Sequence, residues 1–205
     1  MNILVTGATG FIGSHLCRAL YRAGHRVTAL VRASSDRSVL KDLPIGYAVG
    51  DLMLPDTLSN AMRGIEVVYH CGGMVARWSE PQAMIASHIQ GTSHVVQAAL
   101  SSGVRRMIYT SSVAALGIPP FRPTSQEEIP LLDESHQWNY DAQIWPYGYG
   151  KHMAEQEVLT AVGKGLEAVI LNPSAVFGPG DVHRADTGIV ARPVSYTHLR
   201  AHETF

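Results

Sequence analysis

Cysteine, net charge and long apolar runs are all scarce in this 205-residue chain, and each scarcity excludes a class of protein. Cys17 and Cys71 are the only cysteines, which fits neither a zinc site nor the disulfide framework of a secreted domain. With 16 Lys and Arg residues against 17 Asp and Glu, no excess of charge favours nucleic acid or an anionic membrane. We therefore expect a cytoplasmic protein whose partner is a small molecule.

The sequence also shows no pattern typical of a targeting or membrane-anchoring segment. No apolar stretch approaches the roughly 18 residues that a membrane-spanning helix requires. Residues 1–5 read M-N-I-L-V and carry no basic region of the kind that opens a signal peptide. We expect neither an export signal nor a membrane anchor.

Short apolar segments rich in β-branched residues alternate with longer segments of helical periodicity. Strands are predicted over residues 3–6, 26–31, 46–49, 66–70, 105–110 and 168–171. Helices are predicted over residues 11–23, 56–62, 81–102 and 146–162. Because parallel neighbours need long crossover connections, this alternation predicts an α/β fold, a parallel sheet with helices on both faces.

A glycine-rich segment, T-G-A-T-G-F-I-G from Thr6, follows the first strand and opens the first helix. Glycine permits a tight turn and close backbone approach, and the helix amino end attracts anions, so the segment predicts a dinucleotide pyrophosphate site. The predicted contacts are Gly7, Thr9, Gly10, Phe11, Ile12 and Gly13. Gly13 would also let the helix sit close to the sheet. The alternative is a purely structural strand-to-helix turn.

Two further positions concern the adenosine half of the cofactor. The second strand ends at Arg32, where NAD-specific domains carry an acid that binds the ribose hydroxyl. A guanidinium there suits a 2′-phosphate, which favours NADP(H) and leaves NAD(H) open; a solvated surface arginine is the alternative. Asp51 and Leu52 close the third strand, where they would bind the adenine amino group and the ring, unless the aspartate only caps a turn.

Tyr147 and Lys151 are spaced i and i+4 and therefore share a helix face. A phenol titrates near pH 10, but a nearby ammonium lowers that pKa and makes the phenol a usable general acid and base. Ser112 follows the fifth strand, at the edge where ligands bind in open α/β sheets, and is predicted to hold the substrate oxygen. Tyr149 is a competing phenol, but its i,i+2 spacing to Lys151 places it on another face.

These motifs together resemble the extended short-chain dehydrogenase/reductase family, also called NAD-dependent epimerases/dehydratases. The resemblance covers residues 1 to about 181. It is carried by T-G-A-T-G-F-I-G-S-H-L from Thr6, G-D-L from Gly50, H-C-G-G from His70, Y-T-S-S from Tyr109, Y-x-x-x-K from Tyr147 and N-P-S-A-V-F-G-P-G from Asn172. Within the family, the chain is similar to dihydroflavonol-4-reductase-like reductases and to the hopanoid-associated sugar epimerase group.

The resemblance implies a Rossmann-like, doubly wound sheet and a division of labour among the site residues. Ser112 would orient the substrate, Tyr147 would act as acid and base, and Lys151 would hold the nicotinamide ribose. Further cofactor contacts implied by the resemblance are Cys71, Gly72, Gly73, Pro173 and Val176, besides Tyr147 and Lys151 themselves. No metal is implied. The full-length parent would form a homodimer through two helices.

Two histidines stand at positions that the resemblance makes notable. His88 occupies a helix position where the family often has asparagine, so it would either donate a hydrogen bond or simply pack. His70 ends the fourth strand, where a structural role is favoured over a chemical one. Neither histidine is assigned a catalytic role.

The C-terminal part departs from the family pattern. Residues 1–181 are predicted to form the dinucleotide-binding domain, and 182–193 the beginning of a truncated substrate region. Residues 194–204 read V-S-Y-T-H-L-R-A-H-E-T, which resembles a translated sequencing adapter, so 194–205 is predicted to be a non-native tail. His198 and His202 have the spacing of metal ligands but are assigned to that tail. We expect the chain alone to bind dinucleotide weakly and turn over poorly.

Residues 117–145 are rich in proline and polar residues and show no regular period, which predicts a long loop forming a wall of the substrate pocket. Three functions remain open at this stage. The first is an NADP(H)-dependent reductase, in which the phenol protonates a carbonyl oxygen. The second is a nucleotide-sugar epimerase or dehydratase, in which the cofactor is regenerated. The third is a non-catalytic dinucleotide sensor, which retention of both Tyr147 and Lys151 disfavours.

Overall fold

The computed structural model describes residues 1–75, 79–119, 132–133 and 135–181. The described residues form a six-stranded, wholly parallel sheet in the order β3-β2-β1-β4-β5-β6. The strands are β1 (Asn2–Thr6), β2 (Arg26–Val31), β3 (Gly46–Val49), β4 (Val67–His70), β5 (Arg106–Thr110) and β6 (Glu167–Leu171). This order is that of a Rossmann-like doubly wound sheet, which confirms the predicted fold class.

Four α-helices connect the strands within the described part of the chain. They are α1 (Phe11–Arg22), α2 (Pro55–Ala61), α3 (Pro81–Ser101) and α4 (Pro146–Val162). Proline occupies the first turn of α2, α3 and α4, where its missing N–H costs no helical hydrogen bond. Most predicted boundaries differ from the observed ones by one residue or not at all. Two single-turn 3-10 helices, Ser38–Leu40 and Val113–Leu116, were not predicted.

Both faces of the central strands are buried. Successive side chains of a strand point to opposite sides of the sheet, and each side is covered by helices. Leu4, Val68 and Met107 belong to the core between the sheet and the α3–α4 layer. Ile3, Val5 and Val67 point the other way, into a second core that includes Cys17 and Leu20 of α1. The near-continuous apolar strands of the sequence are therefore explained by a sheet that is covered on two sides.

The strand order reverses between β1 and β4, which lie side by side with Thr6 opposite His70. The chain leaves β1 toward β2 on one side and reaches β4 on the other, so the loops after these two strands diverge. A crevice opens at the carboxyl ends of strands at such a reversal, and it is where open α/β sheets bind ligands. The glycine-rich segment after β1 lies at this point.

The chain divides into two compact units, Met1–Ser174 and Ala175–Phe205, and residues 175–181 of the second are described. The predicted domain limits at 181 and 193 stay predictions. The predicted tail, with His198 and His202, lies outside the described residues, as does much of the predicted loop, residues 120–131 and 134. Among the helices that are described, none has the length and hydropathy needed to cross a bilayer.

Candidate active site

The glycine turn after β1 is built so that side chains cannot replace its hydrogens. Gly7 has φ of 65°, and a Cβ there would lie 2.7 Å from the carbonyl oxygen of Cys71. A Cβ on Gly13 would lie 2.2 Å from the carbonyl oxygen of Gly7, so α1 is seated directly on the turn. Gly10 differs, because its φ is −81° and a Cβ there would lie 3.2 Å from the Gly7 carbonyl oxygen. The fold thus excludes a side chain at Gly7 and Gly13, whereas a methyl group at Gly10 needs only a small shift of the turn.

The amino end of α1 is left without a side-chain cap. Gly10 is its N-cap residue, and no side chain accepts a hydrogen bond there. No acidic residue lies in the first turn, so the positive end of the helix dipole is unopposed by a local carboxylate. Phe11 and Ile12 supply the first backbone amides, and both are half-buried. An uncapped amino end behind a glycine turn fits a pyrophosphate, which would accept from these amides.

The segment after β4 forms the opposite wall of the turn. The amide of Gly72 donates to Thr6 Oγ1 at 3.1 Å, and a Cβ on Gly72 would lie 2.8 Å from Leu52 Cδ1. The thiol of Cys71 lies 3.3 Å from Thr110 Oγ1, and burial raises the pKa of that thiol. Cys71 and Gly72 therefore lie beside Gly7, and Cys71 is an un-ionised thiol. That Cys71, Gly72 and Gly73 contact the cofactor stays a prediction.

His70 is a structural residue with both ring nitrogens in use. Thr6 Oγ1 lies 2.6 Å from Nδ1 and Thr92 Oγ1 lies 3.1 Å from Nε2. Because Thr6 already accepts from Gly72, its own proton is best placed to donate to Nδ1, which leaves Nε2 protonated toward Thr92. Burial lowers the pKa of His70 to about 3. The ring is neutral and ties the glycine turn to α3.

Arg32 follows the last residue of β2 and is exposed. Its backbone N–H donates to Ser35 Oγ at 3.1 Å, and its carbonyl oxygen accepts from the Ser35 amide at 3.0 Å. Within the described residues, its guanidinium forms no ion pair. A second cation, Arg37, lies over the Tyr47 ring at 5.2 Å. The residue that follows β2 is therefore an arginine, and no carboxylate lies at the end of this strand.

Asp51 and Leu52 follow β3 in a hydrogen-bonded turn. One carboxylate oxygen of Asp51, Oδ1, accepts from the Met53 amide at 2.9 Å, so the aspartate does stabilise its own turn. The other oxygen has no hydrogen bond among the described residues and can accept from a ligand. The carbonyl oxygen of Leu52 lies 2.7 Å from Nδ1 of His94 on α3. His94 was not predicted, and it fixes the turn that holds these two residues.

Lys151 is buried at the carboxyl end of β5. The residue is only 5% exposed. Its Nζ atom donates to the Thr110 carbonyl oxygen at 2.8 Å and lies 5.0 Å from the centre of the Tyr109 ring. Burial lowers the pKa of Lys151 from 10.5 to about 8, while Cys71 and Glu155 raise it. The ammonium is therefore held at the carboxyl end of β5, the edge of the sheet where open α/β folds bind ligands.

Tyr147 lies in the first turn of α4, one turn before Lys151, and its ring is half-buried. Its ring meets that of His88 edge to face, with 5.4 Å between the centroids. His88 is only 1% exposed, and burial lowers its pKa to about 3. Among the described residues, no hydrogen bond of normal geometry reaches either ring nitrogen of His88, and the nearby backbone of Met74 acts to raise the pKa against the effect of burial. His88 is a neutral packing neighbour of Tyr147 in this structure.

Ser112 lies two residues beyond β5 and caps the 3-10 helix that follows. Its Oγ accepts from the Ala114 amide at 3.2 Å, and its carbonyl oxygen accepts from Asn172 Nδ2 at 3.0 Å. Thr110, which accepts from Lys151, is two residues earlier. The structure thus brings Ser112 and Lys151 to the same end of β5, and places Tyr147 on the Lys151-bearing face of α4.

The remaining predicted contacts lie after β6. The carbonyl oxygen of Pro173 accepts from the Val113 amide at 3.1 Å, which fixes Pro173 next to the Ser112 turn. Val176 belongs to the second compact unit, so its cofactor contact stays a prediction. Thr9, in the glycine turn, is half-buried. Among the described residues, no cluster of three metal-ligating side chains occurs.

A family model described as the NAD dependent epimerase/dehydratase family matches residues 3–203 of the chain. The chain belongs to this family. The match extends over residues 194–203, so the origin of that segment stays a prediction. Sequence resemblance had pointed to the same family from six short motifs, and that prediction is confirmed.

Two relatives of this epimerase/dehydratase family member are named as reductases. A Synechocystis sp. protein, provisionally named a dihydroflavonol 4-reductase, is 40% identical over 90% of this chain and 52% of its own length. The 2-alkyl-3-oxoalkanoate reductase of Stenotrophomonas maltophilia is 35% identical over 88% of this chain and 52% of its own length. The chain therefore spans about half the length of the curated relatives that it matches.

Two solved structures share the fold. The crystal structure of gox2253 is 40% identical, with a TM-score of 0.81 over 93% of this chain and 56% of that chain. A short-chain dehydrogenase/reductase superfamily protein from Agrobacterium tumefaciens, solved with bound NAD, is 29% identical, with a TM-score of 0.66 over 84% of this chain and 48% of that chain. The fold of this family member is therefore one on which a dinucleotide is bound.

Proposed function

We propose that the full-length protein is an NADP(H)-dependent reductase that converts a carbonyl group of a small molecule to an alcohol. The observation that carries the proposal is the buried Lys151 ammonium, which lies at the end of β5 beside Ser112 and one turn from Tyr147 on α4. A lysine is rarely buried unless a partner or a function requires it.

The residues present fit a dinucleotide. The uncapped amino end of α1, behind Gly7, Gly10 and Gly13, would receive the pyrophosphate. The free carboxylate oxygen of Asp51 would accept from the adenine amino group, and Leu52 would contact the ring. Thr9, Phe11, Ile12, Gly72, Gly73, Cys71, Pro173 and Val176 are proposed as further contacts. When bound, the dinucleotide supplies the hydride.

The proposed catalytic residues handle the substrate oxygen and its proton. The Ser112 hydroxyl would donate to the carbonyl oxygen and orient it. The Tyr147 phenol would give its proton to that oxygen as the alcohol forms, and the Lys151 ammonium would stabilise the phenolate that results. His88 would act only by packing against Tyr147, because burial keeps its ring neutral and the two rings meet edge to face.

The preference for NADP(H) over NAD(H) rests on Arg32. Its exposed guanidinium at the end of β2 can form a charge-assisted, bidentate pair with a 2′-phosphate. Arg37, which lies over Tyr47, adds a second positive charge between β2 and β3. An aspartate or glutamate at the end of β2, which would bind the ribose 2′-hydroxyl of NAD, is not present there.

The names of the relatives support a carbonyl substrate. Dihydroflavonol 4-reductase, 2-alkyl-3-oxoalkanoate reductase and cinnamoyl-CoA reductase are all named for reductions. The family description also covers epimerases and dehydratases, in which the same three side chains would serve without net consumption of the dinucleotide. This is the second candidate function. Homodimerisation of the full-length protein stays a prediction.

The decisive experiment follows NADPH absorbance with the full-length protein and a panel of 2-alkyl-3-oxoalkanoates, dihydroflavonols and cinnamoyl-CoA. We expect stoichiometric loss of NADPH with at least one carbonyl substrate. Tyr147→Phe should lower that rate by at least about a hundredfold, the usual contribution of a general acid, while leaving the Kd for NADPH nearly unchanged. Conversion of a nucleotide sugar without loss of NADPH would instead establish the second candidate.

A further inference from the structure

A half-buried polar network connects three elements behind the proposed catalytic residues. Glu155 on α4 accepts through a single oxygen, Oε1, from the hydroxyl of Ser111 in a short hydrogen bond and from Asn172 Nδ2 at 2.7 Å. The same amide nitrogen of Asn172 also donates to the carbonyl oxygen of Ser112 at 3.0 Å. Ser111 follows β5 and Asn172 follows β6. One carboxylate oxygen therefore links a helix to the ends of two strands.

The network acts on the elements that carry the proposed catalytic residues. Glu155 lies one helical turn after Lys151 and two turns after Tyr147, so it fixes α4 against the end of β5. Asn172 holds the backbone of Ser112, and the Ser111 amide donates to the Leu171 carbonyl oxygen at 2.8 Å. The position of Ser112 relative to the α4 face that carries Tyr147 and Lys151 is thereby set by hydrogen bonds of Glu155, Ser111 and Asn172.

Glu155 also contributes charge. Its carboxylate raises the pKa of Lys151, against the larger lowering that burial causes. Among the described residues, the titratable groups around Lys151 are Tyr109 of β5, Cys71 and His70 at the end of β4, His88 of α3, and Tyr147 and Glu155 of α4. His70 and His88 are neutral, and burial raises the pKa of both Tyr109 and Cys71. Glu155 is thus the carboxylate in this set.

We propose that Glu155 is a positioning residue, which fixes the Ser112-bearing end of β5 to the helix that carries Tyr147 and Lys151 and keeps the Lys151 ammonium protonated. The proposal rests on the proposed function, since both effects serve the same three side chains. It separates into two parts, because a glutamine would keep the accepting oxygen and lose the charge. Alanine would lose both.

The experiment compares Glu155→Gln and Glu155→Ala in the full-length protein. Glu157→Gln is the matched control, because it removes the same charge from the same helix, two residues away and outside the network. Two quantities are measured: the pH dependence of kcat/KM for carbonyl reduction, and the titration of Lys151 by ¹³Cε NMR, assigned with Lys151→Met. The NMR titration needs no substrate, so it reports on Glu155 whether or not the reaction is the one proposed.

For Glu155→Gln we expect a folded protein with kcat within about twofold of wild type at neutral pH. Its Lys151 midpoint and the alkaline limb of its rate profile should both move down by about half a pH unit or more. For Glu155→Ala we expect the same downward shift of the Lys151 midpoint and, in addition, a kcat about tenfold lower at neutral pH, with the Kd for NADPH unchanged. Glu157→Gln should match wild type throughout.

Two results would overturn the inference: a Lys151 midpoint that does not move in Glu155→Gln, or a wild-type kcat in Glu155→Ala. Failure of the proposed function has a different signature, in which no variant and no wild-type protein reduces a carbonyl but the Lys151 midpoint still moves in Glu155→Gln. If Glu155→Ala does not fold, the glutamine variant and its control decide the electrostatic part alone.

Discussion

The Nζ atom of Lys151 donates to the carbonyl oxygen of Thr110 at 2.8 Å, in a position where the lysine residue is only 5% exposed. One carbonyl oxygen does not replace the water that an ammonium loses on burial, and the pKa of Lys151 accordingly falls from 10.5 to about 8. The folded protein therefore binds this proton less tightly than the unfolded chain does. Below about pH 8, burial of the charged lysine lowers the free energy of unfolding.

Lys151→Met should therefore abolish catalysis and stabilise the fold. We expect the free energy of unfolding to rise by roughly 1 to 3 kcal/mol at neutral pH, because lowering the pKa from 10.5 to about 8 corresponds to about 3 kcal/mol and the lost hydrogen bond offsets part of it. Urea unfolding at several pH values measures the effect. The difference between variant and wild type should shrink as the pH rises from about 8 toward 10.5, where the folded protein has already released the proton. A variant less stable than wild type at neutral pH would contradict this account.

The glycine turn allows folding and ligand binding to be tested separately. Gly13→Ala would place a Cβ 2.2 Å from the Gly7 carbonyl oxygen, so α1 must shift and we expect a loss of several kcal/mol of stability, as for overpacked cores. Gly10→Ala meets its nearest atom at 3.2 Å and has an ordinary φ. It should lose much less stability than Gly13→Ala but bind dinucleotide at least about tenfold more weakly, because a methyl group in the turn would hinder close approach of a pyrophosphate to the turn's backbone amides.

Thermal unfolding and fluorescence titration with NADPH measure the two effects. Gly24→Ala serves as a control for positive φ alone, since Gly24 has φ of 79° and no atom within 4 Å of its Cβ. Unchanged NADPH affinity in Gly10→Ala would show that the pyrophosphate does not bind at this turn.

The corner at the end of β2 carries a prediction about cofactor choice. Arg32→Gln should raise the Kd for NADPH by about tenfold to a hundredfold, the value of a charged hydrogen-bonded pair, and leave the Kd for NADH within about twofold. Arg22→Gln makes the same change in the last turn of α1, where Arg22 is exposed, and should alter neither constant. An equal rise in the Kd values for NADPH and NADH in Arg32→Gln would mean that the guanidinium does not bind the 2′-phosphate.

The neutral state of His70 can be observed directly. Its two threonine partners and its pKa of about 3 predict an imidazole protonated at Nε2 and unchanged in state across the pH range from about 5 to 9. ¹⁵N NMR of the ring nitrogens distinguishes this tautomer from the Nδ1-protonated form and from the imidazolium. Since the unfolded chain gains this proton near pH 6.5, the free energy of unfolding should fall as the pH drops below that value. A ring that titrates near neutrality would show that the threonine contacts do not persist.

Much of the fold could be predicted from the sequence because each element carried its own local signal. The strand over Gly46–Val49 and the helix over Pro146–Val162 were predicted with the observed bounds, since both are limited by turn residues or proline. Tyr147 and Lys151 were paired through helical spacing alone. Their burial, however, depends on β4 and β5, which lie beside them only after the sheet has formed.

The residues that could not be predicted from the sequence are those whose roles depend on contacts with residues far away in the chain. Glu155 is an ordinary helix residue until Asn172, 17 positions later, returns beside it at the end of β6. His94 likewise contacts Leu52 across 42 positions. A signal for Glu155 was present in its i+4 spacing from Lys151, but such spacing is common on helices and indicates only a shared face. The single 3-10 turns were missed because three or four residues carry no measurable period.

Gly73 and His88 occupy what is in effect a single volume. A Cβ on Gly73 would lie 2.7 Å from Cε1 of the His88 ring, although the two residues belong to different elements. Two separate constraints therefore keep position 73 a glycine: the His88 imidazole fills the space that a Cβ would need, and a φ of 157° strains any side chain. A shorter residue at position 88 removes only the first constraint, so Gly73→Ala should stay destabilising even when it is combined with His88→Ala.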